Sequence, residues 1–80
     1  DALTAFQRAV RLDPRHEEAH HNQGRVYFLL GELDMARSEF KATLDINPDN
    51  VTAHLNLANV YHLMGWKYMV ISEYRDVVKL

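Results

Sequence analysis

Ala36, Phe40, Thr43 and Leu44 lie along one stripe of a helical stretch that ends at Ile46, before Asn47 and Pro48. Upstream, His20, Gln23, Gly24 and Tyr27 fall at i, i+3, i+4 and i+7, the spacing of one helix face. His54, Leu57, Ala58 and Tyr61 repeat that spacing. A glycine follows each of these two stretches, Gly31 and Gly65, well placed just past a helix C-terminus. Pro48 stops a helix because the residue before a proline is pushed out of the α region. Asn50 then stands where an N-cap is wanted, and Glu17 and Glu18 put acid into a first turn, where the helix dipole favours it. The pattern predicts five helices, at about 1–13, 17–30, 33–46, 51–64 and 67–80, with no competing strand periodicity.

The predicted units repeat. Pro14 and Pro48 are 34 residues apart, and so are Gly31 and Gly65, Ala2 and Ala36, Phe6 and Phe40, Ala19 and Ala53. His20 and His54, Asn22 and Asn56, Val26 and Val60, and Tyr27 and Tyr61 keep the same interval. Laying residues 17–46 over 51–80 gives ten identities in thirty positions. A fixed period of this length marks stacked supersecondary units.

One unit reads His20-x₂-Gln23-Gly24-x₂-Tyr27, then Ala36-x₃-Phe40, then Pro48; the next reads His54-x₂-Leu57-Ala58-x₂-Tyr61, then Val70-x₃-Tyr74. The leading piece supplies Ala2-x₃-Phe6 and Pro14. This pattern resembles the tetratricopeptide repeat family over the whole chain. The resemblance implies an all-α, right-handed α-solenoid segment of antiparallel helix hairpins. Residues 1–16 would be the second helix of a preceding repeat, 17–50 a full repeat and 51–80 a near-complete one, together a piece of a longer array. Small residues at Gly24, Ala36 and Ala58 would let paired helices approach, with Tyr27 and Tyr61 filling the wedge between units and Phe40 and Tyr74 packing from the second helix. Several positions depart from the pattern. Both slots for the first aromatic hold histidine, which needs a hydrogen-bond partner when buried. Thr43 replaces an alanine, Val70 a small residue and Lys67 an apolar one, leaving Trp66, Tyr68 and Met69 hard to bury.

Composition narrows the function. The chain has 80 residues, 48% of them apolar and 25% charged, with a formal net charge of −2 and no long run of like charge. That is ordinary for one globular domain and gives no steering toward nucleic acid. The longest apolar run, Val26 to Leu30, falls far short of a membrane span. With no cysteine there is no disulfide or thiolate metal site, and a cytoplasmic location is only the default.

The resemblance assigns the first helix of each unit to a concave surface. The implied lining is Glu18, His21, Arg25, Phe28 and Leu29 in one unit and Thr52, Leu55, Asn59, His62 and Leu63 in the next. Such a groove accepts an extended or helical segment of a protein partner. Its apolar members would anchor the partner, and its polar members would set register. One subtype of the family grips a chaperone peptide's terminal carboxylate with Lys, Asn and Arg. Here His21 stands at the first Lys, and neither groove helix carries a lysine, so that ligand is not expected.

The chain also contains His16-Glu17-Glu18-Ala19-His20, a literal H-E-x-x-H, the metallopeptidase zinc motif. A working site needs a third ligand, for which Glu39 is the formal candidate, and an open cleft. His16 falls in a turn or at a helix start, and His20 recurs as His54 because the repeat recurs. No enzyme, metal or cofactor is therefore expected from His16, His20, His21, His54 or His62. A pairing of His21 with His62 lacks a third ligand. The expected function is a non-catalytic interaction scaffold, the zinc peptidase being a remote alternative. The nearer alternative is self-association, to a dimer for example, through apolar residues at the ends: Trp66, Tyr68, Val77 and Leu80.

Overall fold

The computed structural model describes all 80 residues. The helices are α1 (Ala2–Leu12), α2 (Glu17–Leu29), α3 (Leu33–Ile46), α4 (Val51–Met64) and α5 (Lys67–Lys79), each within about a residue of its expected bounds. No helix is long and apolar enough to cross a membrane.

Local chemistry fixes the starts and stops. Asp1 caps α1, accepting from the Thr4 N–H at 2.8 Å, and Asn50 caps α4, accepting from the Ala53 N–H at 2.9 Å. His16, one period before Asn50, caps α2: its Nδ1 accepts from the Ala19 N–H at 3.1 Å. Helices α2 and α4 end in the same device. Gly31 and Gly65 turn left-handed, at φ 78° and 77°. The next N–H then bonds back to Tyr27 or Tyr61, at 2.9 Å in each case. That closes a Schellman motif, satisfying carbonyls the helix leaves orphaned.

Each helix packs on the next in the chain, α1 on α2 through α4 on α5. Helices α2 and α4 also touch each other, whereas α1, α3 and α5 do not touch one another. The α2–α4 row is therefore the inner, tighter side of the stack. The core lies between the rows: Ala36 and Phe40 from α3 meet Leu57, Val60 and Tyr61 from α4. Tyr27, Phe28, Leu33, Leu44, Met64 and Val70 pack around it. Val70 thus finds apolar cover despite standing where a small residue was expected.

Gly24 shows why small residues matter at the crossing of α2 and α3. A Cβ built there would lie 2.7 Å from Cε1 of the buried Phe40 ring. The helices can approach this closely only because position 24 has no side chain.

Candidate functional site

The inner row presents a mixed surface. On α2, Arg25 and Glu18 are exposed, Leu29 is 83% exposed, and Phe28 is half-buried. On α4, Thr52, Asn59 and His62 are exposed, with Leu55 and Leu63 at 39% and 59%. Between the two helices lies a cleft of about 120 Å³ lined by Arg25, Phe28, Leu29, Phe40 and Asn56. A wider, wholly polar depression beside it, of about 510 Å³, has Asp13, Arg15 and Glu17 among its walls.

His21, like Phe28, is less exposed than the rest of the inner row. It is half-buried, its ring edge-on to Phe40 with centroids 5.7 Å apart. Asn56 of α4 donates through Nδ2 to His21 Nε2 at 2.9 Å. Burial and the nearby Arg25 charge lower its pKa, opposed by Glu17, so the ring is held neutral and can accept at Nε2. His21 thus ties the two inner helices together, and Asn56, absent from the expected groove residues, belongs to the cleft.

The residues of the H-E-x-x-H string have other partners. His16 is engaged as a cap. The Glu17 carboxylate accepts from Asn47 Nδ2 at 3.0 Å and from Asn50 Nδ2 at 2.7 Å, linking the start of α2 to the turn before α4. His20 meets Glu39 through Nδ1 at 2.7 Å and the Pro14 carbonyl through Nε2 at 2.8 Å. Glu39 also accepts from Gln23 Nε2 at 2.7 Å.

This last arrangement recurs. His54 meets Glu73 through Nδ1 at 2.9 Å and the Pro48 carbonyl through Nε2 at 2.7 Å. Each ring therefore faces two oxygen acceptors, which only an imidazolium can satisfy with both nitrogens donating. Burial alone would lower both pKa values. The hydrogen bond to glutamate, the proline carbonyl and the carboxylate charge together outweigh it, and both are raised, Asp76 adding to the effect at His54. These latches supply the hydrogen-bond partners that buried histidines need, and they bind each hairpin to the turn before it.

Near the chain end, Trp66 is partly covered. It stacks on Tyr61 with centroids 5.6 Å apart, and the Arg37 guanidinium lies 4.9 Å from its ring centre. Tyr68 is 89% exposed, Leu80 56% exposed, and Val77 half-buried.

Helix hairpins at a fixed 34-residue period, stacked with one tight row, define a helical-repeat protein of the α-solenoid class. The chain matches the family profile described as "TPR repeat" over residues 24–65 and the one described as "Tetratricopeptide repeat" over residues 5–38. It belongs to the tetratricopeptide repeat family, whose members are typically non-catalytic scaffolds. A crystal structure of MamA superposes with a TM-score of 0.93 at 25% identity, covering 96% of this chain and 45% of that one. A crystal structure of MamA protein gives 0.91 at 25% identity, covering 96% and 42%. MamA AMB-1 gives 0.88 at 20% identity, covering 98% and 43%. The chain thus spans less than half the length of these structures. No curated protein matches it.

Proposed function

We propose that this chain is a protein-interaction scaffold that takes a peptide segment of a partner against the α2–α4 row. The observation that carries the reading is the exposure of Leu29 on α2 and of Leu55 and Leu63 on α4, with Leu29 lining a cleft together with Arg25, Phe28 and Asn56. Apolar side chains at this density, interleaved with Arg25, Asn59 and His62, fit a segment with apolar anchors and a few polar contacts. In this reading residues 1–16 close a preceding repeat, 17–50 form one repeat and 51–80 most of another. The test is selection of binders from a random peptide library, followed by NMR titration of the labelled chain. Shifts should centre on Arg25, Leu29, Leu55 and Asn59, and Leu29→Glu with Leu55→Glu should abolish binding while leaving the helical spectrum intact. Shifts confined to α1 and α5 would sink the proposal.

A second reading, self-association, is favoured by the exposure of Tyr68, Val78 and Leu80 on α5 and at the chain end. Trp66 stays 43% exposed although it stacks on Tyr61 and lies near Arg37, and Val77 is half-buried. Light scattering coupled to size-exclusion chromatography decides it. A monomer at micromolar concentration rejects self-association, and a dimer lost in Val77→Glu with Leu80→Glu supports it.

A further inference from the structure

The two histidine latches are not equivalent. Around His20 every carboxylate oxygen is taken: Glu39 accepts from His20 on Oε1 and from Gln23 on Oε2. One period later Leu57 replaces Gln23, so Glu73 accepts from His54 on Oε1 and receives no hydrogen bond from the chain on Oε2. Asp76 stands where the first unit has Ala42. It follows Glu73 by three residues on α5, which places both carboxylates on one helix face. One ring nitrogen of His54 and one oxygen from each of Glu73 and Asp76 lie within 4.8 Å of one another, and Nδ1 is the nitrogen that meets Glu73. Neither carboxylate pairs with a lysine or arginine.

Three features give this cluster the make-up of a cation site. The His54 ring is oriented by its Nε2–H bond to the Pro48 carbonyl, which aims Nδ1 at the carboxylates, as the outer hydrogen bond of a metal-bound histidine does. The His54 and Glu73 side chains are about nine-tenths buried, at 9% and 10% exposure, while the half-buried Asp76 leaves one side open for entry. Two carboxylates face one imidazole, so even a protonated ring leaves the cluster short of positive charge.

We propose that His54 Nδ1, Glu73 and Asp76 form a divalent-cation site of the Zn²⁺ type. One nitrogen and two carboxylate oxygens suit zinc better than magnesium or calcium, which prefer oxygen ligands alone. On binding, the metal replaces the Nδ1 proton, which leaves to solvent, and water completes the coordination. Tetrahedral ligands around zinc stand about 3.4 Å apart, so His54 Nδ1 and Glu73 Oε1, now 2.9 Å apart, must separate slightly, and the more exposed Asp76 is the side chain free to adjust around the ion. The bound ion clips α5 to α4 at Glu73, the one buried residue of α5. This departs from the expectation of no metal, which treated His54 as a copy of His20.

The experiment uses the 80-residue chain stripped with a chelator, titrated with ZnCl₂ by calorimetry and melted with and without Zn²⁺. The expected result is saturable binding of one ion per chain, with a raised melting temperature. Asp76→Ala, which restores the residue found in the first unit, should weaken binding at least about tenfold while keeping the parent's helical circular-dichroism spectrum in chelator. Co²⁺ serves as a second probe: its visible absorption bands should appear with the parent and be lost with Asp76→Ala. No saturable binding, or binding equally tight in Asp76→Ala, overturns the proposal, the latter because ions held by His16, His21 or His62 do not depend on Asp76.

Discussion

Replacing Glu39 by glutamine tests whether the His20 latch is ionic. His20 and Glu39 are nearly enclosed, their side chains 12% and 14% exposed. The carboxylate accepts from His20 and from Gln23, each at 2.7 Å, while the far ring nitrogen of His20 meets the Pro14 carbonyl. Glutamine offers one acceptor oxygen and one NH₂, so one of the two donors loses its partner. Losing a charge-assisted hydrogen bond costs about 2 kcal/mol, which in a domain this small lowers Tm by roughly 10 °C. The cost should depend on pH with a definite sign. The folded pKa of His20 is raised above the ordinary 6.5. The stability contributed by its imidazolium is therefore fully present below 6.5 and lost as pH rises through the folded value. The gap between parent and Glu39→Gln should be widest near about pH 5.5 and shrink by about half toward pH 8.5. Urea unfolding followed by circular dichroism at both pH values measures it, and His54 titrates in both chains, so its part cancels. A gap that is constant or grows with pH would refute the imidazolium assignment.

Asn50→Ala removes the α4 cap and the link to Glu17, and should lower stability by about 1–2 kcal/mol, read as a lower urea midpoint with an unchanged slope. Gly65→Ala meets open space, so its cost is backbone strain alone, about 1 kcal/mol, and Gly31→Ala should cost the same in differential scanning calorimetry. Gly24→Ala gains helix propensity but pushes a methyl group into the Phe40 ring. The net loss should be about 1 kcal/mol, largely relieved when Phe40→Leu is added, as a double-mutant cycle would show.

The helices, their order and their hairpin pairing were legible because they rest on local signals: apolar spacing, Pro48, the two glycines and the Asn50 cap. The His16 cap was available from the same period, since it stands 34 residues before Asn50, but histidine is an uncommon cap. The latch also left a trace, because Glu39 and Glu73 are among the positions that repeat, each nineteen residues after its histidine. That the two side chains meet depends on how the second helix crosses the first, which the period alone does not give. The bond between His21 and Asn56 depends on the angle between successive hairpins. That angle is the sum of many contacts around Phe40, Leu57 and Tyr61, so no short motif encodes it.

The internal repeat separates scaffold from specificity within the one chain. Positions that hold the hairpins are kept: the latch histidines and glutamates, the turn glycines, and Tyr27 with Tyr61. Along the inner row the corresponding pairs are Glu18 and Thr52, His21 and Leu55, Arg25 and Asn59, and Phe28 and His62, with only Leu29 and Leu63 alike. A face whose task was to pack one unit on the next would keep its chemistry from unit to unit, as the latch does. A face that reads a partner segment has no such constraint, because successive positions of the partner differ. The divergence therefore supports the inner row as the reading surface. Under the proposed function the partner would have a direction: the segment over α2 would meet Arg25 beside Phe28, and the segment over α4 would meet leucines flanked by Asn59 and His62. Exchanging Arg25 and Asn59 between the units should thus impair a selected peptide's binding even though composition is unchanged, and undiminished affinity in the exchanged chain would place the contact elsewhere.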